Sequence, residues 1–288
     1  MTEIPEIPTA TLGAYRAKNF CLDQKLRLRS SDDAVDFINE RGYCYFWPIK
    51  DVLLPSLWVA TVGDCPVADK HDDPGHVTWG WKDGLLDKRV VYYAKILRRN
   101  ATFIALEMAP YFYALSPNYG DYENDYLVQY KQGQLRMETK AVYEALLQHG
   151  PLHTLDLREK AHLSSKEKPY RFDRALSELQ AEMKILPIGI ANVGRWGYAM
   201  RYEIVARYYP QIVEDARFIN EGKARKIILQ KYIESVGAAT LRDIQKLFQW
   251  EKKRIEKTLH DGLEEGWIRE ARISGKNEIH FIKEQLLL

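Results

Sequence analysis

Gln230-Lys231-Tyr232-Ile233-Glu234-Ser235-Val236-Gly237, followed by Asp243-Ile244 and then by Arg254-Ile255, Leu259 and Ile268, decides how this chain is read, because the pattern occurs twice. The earlier copy is Tyr143-Glu144-Ala145-Leu146-Leu147-Gln148-His149-Gly150, followed by Asp156-Leu157 and then by Arg171-Phe172, Leu176 and Ile185. Gly150 and Asp156 precede Gly237 and Asp243 by 87 positions, whereas Arg171, Phe172, Leu176 and Ile185 precede their counterparts by 83. The difference falls in the polar stretch 164–169, which includes Lys166 and Lys168, and an insertion in such a loop is cheap. Self-similarity of this kind marks a repeated supersecondary unit.

The second copy is the easier to interpret. Ala224, Ile227, Ile228 and Tyr232 recur at helical spacing, and Gly237 is a natural stop. Thr240 with Asp243 three residues on resembles a capping box and opens a second helix carrying Leu241, Ile244, Leu247 and Phe248. Ile255, Leu259 and Leu263 lie on one face of a third helix that ends near Gly266. Two strands, 268–273 and 278–283, then flank the turn 274–277. Three helices followed by a β-hairpin make a winged helix. The first copy repeats the order, with strands at 185–191 and 196–202 around Asn192-Val193-Gly194.

Upstream, Ser31 is placed to cap a helix bearing Ala34, Val35 and Ile38 and ended by Gly42. The stretch that follows, with helical spacing at Val91, Lys95, Ile96 and Arg99, is expected to be a helical insertion rather than a wing. The acidic aromatic run 119–126 is a plausible boundary. The expected fold is therefore mainly α (α+β): tandem winged-helix units with small hairpin wings and a helical N-terminal region. Its divisions are an N-terminal segment 1–29, a degenerate unit 30–137, a winged helix 138–220 and a C-terminal winged helix 221–288.

Composition narrows the function classes. The chain has 288 residues, 46% hydrophobic and 28% charged, which excludes wholesale disorder. No apolar run approaches the roughly 18 residues that cross a bilayer, and the N-terminus lacks the basic and apolar regions of a signal peptide. Cys21, Cys44 and Cys65 are three in number and at no metal-like spacing, so a reducing cytoplasm is expected, at the nucleoid if the source is a bacterium. There is no Gly-rich phosphate loop, no Gly-x-Ser-x-Gly elbow and no Cys-x-x-Cys, and no cofactor is expected. A net charge of +2 does not announce a nucleic-acid partner, so any such argument rests on local patches.

Those patches lie where a winged helix meets duplex DNA, on the third helix and the wing. The second copy offers Lys252, Lys253, Arg254 and Lys257 on its third helix and Arg269, Arg272 and Lys276 on its wing. The first offers Arg171 and Arg174, with Arg195 on its wing. These cations suit phosphate neutralisation. They equally suit a solvated helix face, as do Lys88-Arg89 and Arg98-Arg99.

The order of elements resembles the AlkZ/YcaQ-like family of bacterial DNA glycosylases, which act on alkylated and crosslinked bases and are built from tandem winged helices around a cleft. The resemblance runs over about 30–283: a helix ending in Arg41-Gly42, a Tyr- and Trp-rich middle, then the units closed by Gly150 and Gly237. It implies a double-stranded DNA partner, with damaged duplex a candidate. The family's catalytic triplet, Gln-apolar-Gln or Gln-apolar-Asp, falls three residues after the glycine that ends the first helix. Here those positions read Tyr45-Phe46-Trp47. A phenol is a poor base at neutral pH and an indole N–H accepts no hydrogen bond from water. Family-type hydrolysis of the N-glycosidic bond therefore lacks its polar pair.

Three readings of this stretch remain open. Tyr45-Phe46-Trp47 is core, and Lys50-Asp51 a surface pair. Alternatively Tyr45 and Trp47 stack on an extruded base. Or the chemistry has moved to Lys50 and Asp51, an amine and a carboxylate. The segment 63–79 holds Asp64, Cys65, Asp69, His71, Asp72, Asp73 and His76. Its spacing matches no zinc motif, so no metal is expected, and a loop over a cleft is the better reading. Three functions follow from these readings: a DNA-binding protein with altered or absent catalysis, an active glycosylase, or a winged-helix scaffold for protein partners.

Overall fold

The computed structural model describes residues 4–70, 72–164, 170–195, 197–283 and Leu286. The chain divides into two compact units, Met1–Trp81 with Glu221–Leu288, and Lys82–Asn220.

In the first unit the C-terminal copy follows its sequence closely. Helix Glu221–Val236 buries Ala224, Ile228, Leu229, Tyr232 and Ile233. It stops at Gly237, where φ is +78° and a Cβ would stand 2.8 Å from Tyr15 Cδ1, so both backbone conformation and close approach require glycine. The Thr240–Asp243 capping box is present and opens helix Leu241–Phe248, and helix Lys252–Glu264 follows. Strands Arg269–Ile273 and Ile279–Ile282 pair antiparallel, with Ile279 opposite Arg272 and Ile282 opposite Arg269. A short strand that the sequence did not announce, Ala238–Ala239, pairs with the second of them.

The N-terminal segment completes this unit. Strand Glu6–Ile7 runs parallel to Arg269–Ile273 and covers the edge of the wing, with Ile7 opposite Ile273. Ile7 and Leu12 then share a core with Ala238, Ala271, Ile273 and Ile282. Helix Thr9–Asn19 caps the end of Glu221–Val236. Arg16 donates from Nε to the Val236 carbonyl (2.9 Å) and from Nη2 to that of Ala238 (2.8 Å), while Asn19 serves Glu234 and Ser235. The carbonyls of Glu234, Ser235 and Val236 are helix-end acceptors without an intrahelical donor, and that of Ala238 belongs to the strand that follows.

Helix Ser31–Arg41 is capped by Ser30 rather than by Ser31. Ser30 Oγ accepts from Asp33 N (3.1 Å), and Asp33 Oδ2 accepts in return from Ser30 N (3.0 Å). Reciprocal closure with N3 is what favours the earlier serine. Gly42 (φ +74°) ends the helix, as expected. Strand Tyr43–Tyr45 and helices Leu57–Val62 and Val77–Leu85 follow, the last crossing from the first unit into the second.

The second unit holds the first copy. Its elements are helix Met137–His149, strand Leu152–His153, helices Thr154–Lys160 and Tyr170–Ala181, and strands Ile185–Ala191 and Ala199–Ile204. The sheet order places Ala199–Ile204 between Leu152–His153 and Ile185–Ala191. Both copies thus share one order, helix, strand, helix, helix, hairpin. The last strand begins and ends later than the expected 196–202, and Trp196, Lys166 and Lys168 lie outside the described residues. Val142, Leu146, Leu157, Phe172, Leu179 and Ile204 meet in the core. Arg207 donates to the carbonyls of Leu146 (3.1 Å) and Leu147 (2.7 Å), the role that Arg16 plays in the other copy.

One expectation is corrected here. The stretch around Val91 to Arg99 is not a helical insertion: Tyr92–Lys95 and Ala101–Ile104 form an antiparallel hairpin, Tyr92 opposite Ile104. Tyr92, Tyr93, Phe103 and Ile104 are β-formers, and pairing across the turn overrides the local spacing. From Ser31 to Ile104 the elements therefore run in the same order as in the two copies, with a hairpin in the wing's place. No helix among the described residues is long and apolar enough to cross a membrane.

Two measurements check this architecture. Cys44 is fully buried, Cys21 nearly so, and burial pushes both thiols above the ordinary range, while Cys65 is exposed. A disulfide reagent should therefore titrate one thiol in the native protein, lost in Cys65→Ser, and three after denaturation. Arg16→Ala removes charged donors from helix-end carbonyls, and chemical denaturation should report a loss of about 1.5–3 kcal/mol.

Candidate functional site

The first unit contains an aromatic-walled pocket of about 520 Å³, lined by Trp47, Val67, Ala68, Asp69, His76 and Trp79. That size lies in the usual range for small-ligand sites. Trp47 is placed by the strand Tyr43–Tyr45 that precedes it, all three of whose residues are buried. Tyr45 N donates to the Pro55 carbonyl (3.0 Å) and Trp58 N to that of Phe46 (3.0 Å), locking 45–46 against 55–58. Just past this clamp the chain turns outward, leaving Trp47 half-buried.

Val67, Ala68, Asp69 and His76 supply further lining. Ser56 caps helix Leu57–Val62, and Trp58 Nε1 donates to the Cys65 carbonyl (3.1 Å), pinning the loop that follows. Asp73 Oδ1 accepts from Gly75 N (2.8 Å) and closes the turn Pro74–His76. Gly75 is required there, since a Cβ would come within 2.7 Å of Trp58 Cη2 and 2.8 Å of Val62 Cγ1. His76 lies over Trp58 with centroids 5.3 Å apart, and its Nε2 is 2.9 Å from the Ala68 carbonyl. With Nε2 as the donor, Nδ1 is the acceptor.

Trp79, one turn into helix Val77–Leu85, completes the lining. Its ring centroid is 5.6 Å from that of Trp47, and Phe46 packs edge-on beneath at 5.9 Å. The Trp47 indole N–H is buried and has no acceptor among the described residues. The pocket thus offers two indole faces, one carboxylate and one imidazole. The two indoles pack on one another, and the half-exposed Trp79 face can stack a flat ring, a cationic ring best of all.

The structure separates the residues singled out from sequence. Trp47 lines the pocket. Tyr45 does not: it is fully buried in the strand, and the expectation that it stacks in a cleft is corrected. Lys50 and Asp51 are exposed and outside the pocket's lining, with Asp51 Oδ2 3.9 Å from Lys246 Nζ, so no enclosed amine–carboxylate centre exists there. A buried lysine–aspartate pair occurs instead at Lys82–Asp83 (2.7 Å) in the second unit; burial lowers the Lys82 pKa, but its side chain is almost wholly shielded from solvent. Asp69, His76 and Trp79 stood in the sequence only as members of a polar loop. Nothing local marks Trp79 as the partner of Trp47, because a fold must bring the two together. Of the candidate metal ligands, Cys65 is exposed, His76 is engaged by Ala68, and His71 lies outside the described residues.

The basic surface of the second copy is more neutralised than its sequence suggests. On helix Lys252–Glu264, Lys252 pairs with Glu256 (3.6 Å) and Lys257 with Asp261 (3.0 Å). Arg254 pairs with Glu221 (2.6 Å) and Glu251 (3.1 Å), which hold its guanidinium above its ordinary pKa. Lys253 and, on the wing, Arg272 and Lys276 have no ion-pair partner among the described residues and are exposed, as is Arg269. In the second unit Arg171 pairs with Glu138 (3.1 Å) and Arg174 with Glu178 (3.2 Å), while Arg195 is exposed at the wing tip. Exposed pairs are worth about 0–1 kcal/mol each, so an incoming phosphate can displace them.

No curated protein matches the sequence. A solved structure, the DNA glycosylase AlkZ of Streptomyces sahachiroi, shares the fold with a TM-score of 0.58 at 12% identity, over 97% of this chain and 71% of that one. The family model described as AlkZ related matches residues 28–249, from just before the Ser30 cap to the end of the second helix of the C-terminal copy. That span covers most of the repeat architecture and the lining residues of the aromatic pocket, and the chain belongs to the AlkZ-related family.

Proposed function

We propose that this protein binds duplex DNA, altered duplex included, and reads an extruded base in the pocket of Trp47 and Trp79, with catalysis altered or absent. The observation that carries the reading is the pair of indoles facing one cavity. Base–aromatic stacking is worth about 1–3 kcal/mol per base and is tolerant of base identity. An alkylated base bearing positive charge gains further from indole faces and from the Asp69 carboxylate.

In this reading 138–220 and 221–288 serve as tandem winged-helix DNA-binding units, 30–137 as the degenerate unit that carries the pocket's aromatic residues, and 1–29 as the segment that braces the last wing. Lys253, Arg272 and Lys276 contact backbone phosphates directly, and Lys252, Arg254 and Lys257 join once their carboxylate partners are displaced, with Arg269 exposed beside them on the wing. The function belongs to the cytoplasm, at the nucleoid in a bacterium. It requires no cofactor.

The presence of Asp69 and His76 in the pocket favours one second reading, an active glycosylase. A carboxylate and an imidazole acceptor can hold the attacking water that Tyr45-Phe46-Trp47 cannot.

Binding to a duplex carrying an alkylated purine, measured by fluorescence anisotropy at several salt concentrations, tests the reading. Affinity should fall steeply with salt, and Lys253→Ala/Arg272→Ala should weaken all duplexes alike and flatten the salt slope by about 2. Trp79→Ala should weaken the altered duplex about tenfold or more while sparing the unmodified one. Salt-independent or absent binding would remove the DNA reading and leave the protein scaffold. Abasic sites that form with the native protein and vanish in Asp69→Asn would make it a glycosylase.

A further inference from the structure

The second unit contains a concavity of about 210 Å³ lined by Arg136, Glu138, Thr139, Tyr170, Arg171, Arg174, Ala175 and Glu178, remote in sequence from the tryptophan pocket. Three guanidiniums converge on a single carboxylate oxygen: Glu178 Oε1 lies 3.1 Å from Arg136, 3.2 Å from Arg174 and 3.8 Å from Arg99. The other oxygen of Glu178 accepts from the Thr139 hydroxyl (2.8 Å), which fixes the carboxylate at the base. Arg171 meets Glu138 (3.1 Å) at the rim. Three arginines line the concavity and Arg99 stands beside it at Glu178; against two glutamates the four leave an excess of two positive charges at and beside one concave site.

Each arginine commits one nitrogen to its carboxylate, and the four side chains remain 40–56% exposed. A guanidinium presents five N–H donors in a fork that fits phosphate oxygens in pairs, so most of the donor capacity is unspent. Two helices also begin here. Arg136, Glu138 and Thr139 belong to the cap and first turn of Met137–His149, and Tyr170, Arg171 and Arg174 to the first turns of Tyr170–Ala181. No side chain caps the former, and the positive ends of both helix dipoles add to the field. Backbone conformation points the same way. Arg98 and Arg99 adopt φ of +53° and +58° at the tip of the hairpin, a conformation that residues other than glycine rarely take, and the hairpin is held by Lys95 N on Gln180 Oε1 (3.2 Å). That turn delivers Arg99 to Glu178.

We propose that this pocket is a phosphate-binding site, with Glu178 organising the guanidiniums, Arg136, Arg171 and Arg174 clasping the ligand and Arg99 adding positive charge beside it. The excess of two positive charges suits a dianionic phosphomonoester better than a phosphodiester, and the fitting source is the terminal 5′-phosphate of a broken strand. Only that choice of source rests on the DNA-binding reading; the pocket itself does not.

The test uses the full chain in two arms. In the first, inorganic phosphate is titrated by calorimetry at constant ionic strength against chloride. Saturable binding is expected, weakened about tenfold or more in Arg136→Gln/Arg174→Gln. Glu138→Gln, which releases Arg171 and removes a competing negative charge, should tighten it severalfold, an effect that mere structural damage would not produce. Binding indifferent to these variants, or no preference for phosphate over chloride, would overturn the site. In the second arm, duplexes nicked with a 5′-phosphate or a 5′-hydroxyl are compared. A preference for the phosphate, abolished in the double variant, supports the terminal source, and equal binding sensitive to the same variant assigns the pocket to a backbone phosphodiester and overturns that choice. If phosphate binds but no duplex does, the pocket stands and the DNA reading fails.

Discussion

The carbonyls at the end of each copy's first helix impose the constraint on which the rest of the structure depends. A helix leaves its last acceptors without donors, and near the core they cannot be left dry. In both copies an arginine beyond the helix–strand–helix–helix–hairpin core supplies donors: Arg16, from the N-terminal segment, reaches Val236 and Ala238, and Arg207, just after the hairpin, reaches Leu146 and Leu147. The C-terminal copy is therefore completed by chain from the N-terminal segment. The N-terminal helix is tied to the C-terminal copy by this need, and the strand Glu6–Ile7 beside it then covers the edge of that copy's wing.

The same economy shapes the tryptophan pocket. Strand Tyr43–Tyr45 is wholly buried, so the first side chain able to reach the surface is Trp47. The loop 63–76 is held by Trp58 on Cys65 and by His76 on Ala68, contacts that fix its backbone and leave Asp69 at the pocket's edge. Where the resemblance to the glycosylases implies a polar pair, this chain has aromatic faces. The proposed role of the pocket, holding a ring rather than a water, rests on that difference.

Electrostatics separates two kinds of basic surface. Along Lys252–Glu264 every cation of the first two turns except Lys253 meets a carboxylate, and the field of the helix is largely cancelled. At the joint start of Met137–His149 and Tyr170–Ala181 three arginines share one carboxylate, and the cancellation is incomplete. Similar local sequences thus give different potentials, because ion pairing depends on which chain segments meet.

The sequence by itself determined the repeat. Its apolar spacing, the glycines at 150 and 237 and the Thr240–Asp243 box place the helices and hairpins of both copies, because caps, turns and amphipathic periods are local. It also placed Ser30-to-Gly42 as a helix, within one residue at the cap. What required tertiary structure was pairing across distance. The strands Tyr92–Lys95 and Ala101–Ile104 looked helical until they met, and Tyr45 and Trp47 were indistinguishable until one was buried and the other left at a pocket. Trp79 joined Trp47 across a folded loop, and Arg99 and Arg136 joined Arg174 around Glu178. Local spacing records which face of an element is apolar; only the packed chain decides what that face, and the charges beside it, will touch.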